Sequence, residues 1–209
     1  MLIDETVEGF AARLAAGTPT PGGGSAGALA GSLAAALVQM VCDLTIGKEA
    51  YRDHEASLRA MRGRAQELRS NLLRLVDRDA EAYDQVVAAR RRPRTSEAEK
   101  AARQEALARA NLIATEVPLL TAEACVEILA LAVDLAAKGN RNASSDVGTA
   151  AVLAHAGLLG GVMNVRANLP GLADPERSAA AASRVQVLEQ EGQRLRDQCL
   201  ASLAAGPPP

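Results

Sequence analysis

The sequence predicts an all-α fold: a bundle of about five or six helices with a central helix pair rich in small residues. Three observations carry this. Apolar residues recur at helical spacing and no stretch shows strand-like alternation. Hydrophobic residues make up 48% of the 209 residues but aromatics only 1%, so the core must be built from Ala, Leu and Val. Such a core suits helices that approach closely. From Leu14 to Cys42 no residue carries a formal charge, and Val147 to Val165 is a second uncharged, glycine-rich run.

The elements follow in order. Asp4 to Ala16 reads as a short amphipathic helix with Val7, Phe10, Ala11 and Leu14 on one face. Gly17-Thr18-Pro19-Thr20-Pro21 breaks it. The uncharged helix runs from Gly23 to about Ile46, and Gly47 ends it. A charged helix spans about Arg52 to Arg91, with Leu58, Met61, Ala65, Leu68, Leu72, Leu75 and Val76 on its apolar face, and Pro93 stops it. Thr95 or Ser96 caps the next helix, with Glu97 and Glu99 in the first turn. Pro118 lies inside that helix, where it produces a kink and frees a carbonyl. Lys138-Gly139 ends it. After a polar loop, Ser144 or Ser145 caps a helix to about Asn168. Pro170-Gly171 breaks the chain, and Asp174-Pro175 starts a last helix to about Ala204. Residues 1–209 read as one domain, with 204–209 an expected disordered tail.

The net charge of −2 exerts no general pull toward nucleic acid or an anionic membrane, and neither is an expected partner. Gly22 to Cys42 is long enough to span a bilayer, and Gly23, Gly27 and Gly31 form a small-xxx-small repeat. The run is nonetheless Ala/Gly-rich, lacks a basic flank on its N-terminal side and has no aromatic belt. Central helices of a soluble bundle are the better account. Asp4, Glu5 and Glu8 argue against a signal peptide. Cys42, Cys125 and Cys199 are far apart and odd in number, and only His54 and His155 are histidines. That pattern predicts no disulfide framework, no metal site and a reducing, cytoplasmic setting.

Four segments are candidates for chemistry. Gly22-Gly23-Gly24-Ser25 opens the uncharged helix without side chains, so a ligand or another backbone can come close. It has neither P-loop nor dinucleotide spacing. In Asp77-Arg78-Asp79-Ala80-Glu81 the carboxylates spread around the helix; a solvated face competes with one carboxylate turned inward. Asp146 falls in the first turn of its helix after the polar loop holding Asn140, either as a dipole partner or as an acid/base group. Asn164 and Asn168 share a face, either to read a heterocycle or to satisfy helix-end carbonyls. His155 reads as a hydrogen-bonded core residue. The run from Arg90 to Arg94 reads as a solvated corner, or as an attractor for an anionic tail.

Taken together, the blocks resemble the cyclodeaminase/cyclohydrolase family of folate enzymes. They are Pro19-Thr20-Pro21-Gly22-Gly23-Gly24-Ser25, Leu44-Thr45-Ile46-Gly47-Lys48, Val76-Asp77-Arg78-Asp79-Ala80-Glu81-Ala82-Tyr83, Glu116-Val117-Pro118-Leu119, Gly139-Asn140 with Ser145-Asp146, and Asn164-Val165-Arg166-Ala167-Asn168-Leu169. They are collinear and cover nearly the whole chain; the ordered combination is specific where no single block is. Arg92-Pro93 departs from the Leu-Pro pair the family leads one to expect, and Cys42-Asp43 stands where the family varies.

The resemblance implies a helical homodimer with a tetrahydrofolate cleft near the interface. It implies a methenyltetrahydrofolate cyclohydrolase, or a formiminotetrahydrofolate cyclodeaminase that releases ammonia. A folate-binding bundle without catalysis and a plain interaction bundle are the non-enzymatic alternatives. Either enzyme takes a tetrahydrofolate derivative, polyglutamylated or not, as substrate and needs no cofactor or metal. On this reading Asp146 or Asp79 is the acid/base group. Gly22, Gly23, Gly24 and Ser25 lie against the folate or a partner helix. Asn140 and Asn164 orient the ring or the water, and Lys48 with the arginine corner meets the glutamate tail.

Overall fold

Six α-helices account for most of residues 1–205, the part described in this computed structural model. They are α1 (Val7–Ala15), α2 (Gly23–Asp43), α3 (Glu55–Arg90), α4 (Glu97–Lys138), α5 (Ser144–Asn168) and α6 (Pro175–Ala204). Four short 3-10 turns join them, and among the described residues there is no strand. The expected disordered tail falls on residues 206–209, outside the described range; Ala204, placed in that tail, instead closes α6.

Local chemistry sets the boundaries. Ser96, rather than Thr95, caps α4: its hydroxyl accepts from Glu99 N at 3.2 Å, and the Glu99 carboxylate accepts from Ser96 N at 2.9 Å. Asp174 caps α6 by accepting from the Glu176 and Arg177 amides, with Pro175 at the first position. Two expectations need correcting. α1 begins at Val7 because Thr6 accepts from Gly9 N, and Asp4 sits in a separate 3-10 turn. The apolar face expected on α1 is not buried: Val7 is 90% exposed and Phe10 is only partly packed on the core. Neither Ser144 nor Ser145 caps α5. Asn140 caps the preceding 3-10 turn by accepting from Asn142 N, which draws both serines inside the helix.

α4 runs unbroken through Pro118. A proline there cannot donate to the Ala114 carbonyl one turn earlier. Asn168 Nδ2, at the end of α5, donates to that carbonyl at 2.6 Å. The freed carbonyl predicted from sequence therefore has a partner on another helix. Asn168→Leu should strand a partly buried carbonyl and cost about 1–2 kcal/mol. Chemical denaturation checks this, and an unchanged midpoint would show that water replaces the amide.

α2 and α5 form the centre and run antiparallel: Gly23 lies beside Asn164, and Gly27 beside Gly157 and Gly160. A β-carbon on Gly157 would stand 2.7 Å from the Gly27 carbonyl oxygen and 2.8 Å from Cys125 Sγ. The glycines thus let two backbones and a thiol meet. α3 and α4 pack against this pair, and α6 closes the bundle over α4 and α5. Leu58, Leu72, Ile128, Leu129 and Leu158 fill the core. All three cysteines are free and buried, and burial pushes the Cys125 thiol up to about 12. α2 and the segment Arg141–Gly171 are each long and apolar enough to cross a membrane by length and composition. In the fold, about half of each apolar stretch is buried inside the bundle.

Candidate active site

At the N-terminal end of α2 the glycine turn meets α3. The Asp79 carboxylate lies directly over the Gly24 backbone: a β-carbon there would come within 2.7 Å of both carboxylate oxygens. Gly24 is thus bare because Asp79 occupies that space. The Ser25 hydroxyl is 3.0 Å from Asp79 Oδ2 and 2.9 Å from the Val76 carbonyl. Burial pushes the Asp79 carboxyl above its ordinary value, and hydrogen bonds from the Ser25 side chain and backbone oppose the rise. A partly buried carboxylate with a raised pKa, beside a turn of glycines without side chains, is equipped to take a proton from a bound water. From α5, Asn164 faces Gly23 at 3.5 Å from the position of a β-carbon there, and its Nδ2 donates to Gly160 O at 2.8 Å. Tyr83 stands one turn beyond Asp79 on the same side of α3, 40% exposed.

The three carboxylates of the α3 block take different places. Glu81 is exposed. Asp77 is buried, and its Oδ1 accepts from Leu2 N at 2.5 Å, which ties the start of the chain to α3. Its Oδ2 is buried and has no partner among the described residues. No sequence signal pointed to this anchor, because its partner is a backbone amide 75 residues away. Tyr83 was within reach of sequence reasoning, since an aromatic at i+4 from an inward carboxylate shares its face.

The remaining candidates lie at the other end of the bundle. Thr45 and Asn140 lock the end of α2 to the α4–α5 loop: Asn140 N donates to Thr45 Oγ1 at 2.9 Å and Asn140 Nδ2 to Leu44 O at 3.2 Å. Asn140 is 8% exposed and its side chain is engaged with protein at both ends. Its geometry fits a structural lock rather than the ligand contact expected of it. Gly47, with φ +81, turns the chain there, and Lys48 beside it is exposed. Asp146 is half-buried in the first turn of α5. Asp146 and Asn164 project from the same side of α5 but stand about 27 Å apart along it. One protomer therefore does not unite the candidates. Asp79, Gly22–Ser25 and Asn164 form one group, and Lys48 and Asp146 another. Asn168 belongs to neither, being bonded to Ala114, and no group of three metal-ligating side chains gathers among the described residues.

The fold and this site define an all-helical domain in which a partly buried carboxylate is laid over a side-chain-free helix start. The family can then be stated. The family model described as formiminotransferase-cyclodeaminase matches residues 6–187, and the chain belongs to that family. A methenyltetrahydrofolate cyclohydrolase from Methylorubrum extorquens is 43% identical over 89% of this chain and 88% of its own length. The formimidoyltransferase-cyclodeaminase of Mus musculus is 30% identical over 98% of this chain, which spans 38% of that longer protein. The crystal structure of formiminotetrahydrofolate cyclodeaminase from Thermotoga maritima superposes with a TM-score of 0.86 at 28% identity, covering 98% of both chains. The named relatives are enzymes.

Proposed function

We propose that this protein is a methenyltetrahydrofolate cyclohydrolase, converting 5,10-methenyltetrahydrofolate and water to 10-formyltetrahydrofolate. The observation that carries the site assignment is Asp79, partly buried, raised in pKa and laid over the bare backbone of Gly24. The 43% identity to a cyclohydrolase along most of both chains favours this reaction over the cyclodeaminase one. The substrate's bridge is an amidinium cation, which an ionised Asp79 attracts. Asp79 takes a proton from water as the oxygen adds to the bridge carbon, giving a tetrahedral centre. Returned to N5, that proton lets the carbon–N5 bond break, while the new hydroxyl loses its own proton to solvent as the formyl group forms. Overall one proton is released.

The bare turn Gly22–Gly23 lets the flat ring lie against backbone, Asn164 contacts its polar edge, and Tyr83 offers a stacking face. Arg90 shares Asp79's face of α3 three turns on, about 16 Å away, and suits an anionic glutamate tail, polyglutamylated or not. The protein works as a cytoplasmic homodimer, paired through α2 and α5, and needs neither metal nor cofactor.

The test is loss of methenyltetrahydrofolate absorbance on adding pure protein, above the spontaneous rate. Ammonia release from formiminotetrahydrofolate, with no effect on the methenyl compound, would replace this reading with the cyclodeaminase one, which the Thermotoga maritima structure favours. Folate binding without either turnover would leave a binding bundle, and no binding a plain interaction bundle.

Ser25→Ala gives a pH test. Asp79 must be ionised to act, so activity rises with pH through its pKa. The Ser25 bonds hold that pKa down against burial. Losing the hydroxyl should move the acid limb of the kcat profile to higher pH and leave the alkaline plateau nearly unchanged. An acid limb that stays in place would separate Asp79 from the rate.

A further inference from the structure

A second concave site lies at the end of the bundle away from Asp79. The 3-10 turn Glu49–His54, the end of α4, the start of α5 and the last turn of α6 enclose a cavity of about 530 Å³. That is room for a small organic molecule. Val147 in its wall and Asn164 in the Asp79 group are about 25 Å apart along α5. No residue of α2 lines the cavity, and neither Lys48 nor Asp146 does. Its walls are held by protein hydrogen bonds. Asn140 is locked to the end of α2, and Arg141 N donates to the Tyr51 hydroxyl at 3.2 Å. Leu135 and Val147, both buried, and Leu203 supply an apolar lining. Three basic side chains line it as well, His54, Lys138 and Arg141, and among the described residues no carboxylate does. Lys138 has one partner, Asp134 at 3.3 Å. The side chains of His54 and Arg141 have no hydrogen-bond or ion-pair partner among the described residues; only their main chains are bonded. Ser144, which does not cap α5, adds a hydroxyl that the helix start leaves unused.

We propose that this cavity is a second binding site, separate from the Asp79 group, for a small phosphate ester. Basic side chains gathered without a counter-ion repel one another, and a bound anion relieves that repulsion. Arg141 offers a planar fork and Lys138 a point charge, two groups well suited to phosphate. His54 and the hydroxyls of Ser144 and Ser202 add further donors. Their number suits the three terminal oxygens of a phosphate ester better than the two of a carboxylate. The apolar lining receives the organic body. The ester bridges segments far apart in the chain, so its binding stabilises the fold. None of these side chains belongs to the Asp79 group, so the site stands independently of the folate reading.

Phenyl phosphate, an anion with an apolar body, is the probe. Calorimetry at constant ionic strength should show saturable binding, one molecule per chain, about tenfold tighter than inorganic phosphate. Arg141→Ala removes a donor and Ala50→Phe fills the cavity, both at exposed positions. Each should weaken binding about tenfold or more while melting without ligand stays as in wild type. Asp79→Asn should bind phenyl phosphate as wild type does. Absence of saturable binding, undiminished binding in both Arg141→Ala and Ala50→Phe, or loss of binding in Asp79→Asn would overturn the proposal. So would triglutamate that binds more tightly than phenyl phosphate and loses its affinity in Arg141→Ala, since the cavity would then take a carboxylate chain. Turnover of methenyltetrahydrofolate tests the folate reading and leaves these outcomes unchanged.

Discussion

Asp79→Asn is expected to lower kcat for methenyltetrahydrofolate by about 1000-fold, the upper-middle range for loss of a general base. The substitution keeps the shape and the hydrogen bond to Ser25 but cannot take a proton. Its effect on stability should have the opposite sign from that of an ordinary core lesion. The folded pKa lies above the ordinary value of 3.8, so the native state holds this proton more tightly than the unfolded chain does. The resulting stability is fully present below the unfolded value and is lost as pH rises through the folded one. At neutral pH the ionised group is therefore a burden on the fold, and Asp79→Asn should melt no lower than wild type. Loss of rate together with a lower melting temperature would mean that Asp79 is structural. Gly24→Ala is the companion variant. Its methyl would overlap the carboxylate, so Asp79 must swing away from Ser25, and the rate should fall while the helices stay in place.

Gly157→Ala is expected to destabilise the central pair by about 3 kcal/mol. The new β-carbon would meet the Gly27 carbonyl at 2.7 Å, Cys125 Sγ at 2.8 Å and the Gly31 amide nitrogen at 3.1 Å. Two of these are backbone of the facing helix, which no rotamer change relieves. α2 and α5 would have to separate, with loss of packing along both. Urea denaturation gives the cost. Gly63→Ala is the control, since nothing lies within 4 Å of a β-carbon there and a mid-helix glycine is itself unfavourable. That variant should be neutral or slightly more stable. A Gly157→Ala protein as stable as wild type would mean that the helices have freedom to move apart.

These expectations mark how far the sequence reached. Helix capping is local, so Ser96 with Glu99 and Asp174 with Pro175 were readable, because donors and acceptors sit within one turn of each other. The same logic failed at α5, where Asn140 took the cap one turn early. The free carbonyl ahead of Pro118 followed from proline chemistry, but its partner Asn168 lies on another helix 54 residues away. The glycine turn was recognisable as a place without side chains. Only the fold puts Asp79 into that space, and only the fold turns Asp77 to a backbone amide at the start of the chain.

By itself, then, the sequence determined the all-α class, the order of its helices, the central small-residue pair and the family resemblance. Each of those depends on composition or on residues within a few positions of one another. The tertiary structure decided which carboxylate is set over the bare helix start, which asparagine is a structural lock, and that Asp146 and Asn164 stand at opposite ends of one helix. Those outcomes depend on distances between segments far apart in the chain, and periodicity along a single helix does not encode them.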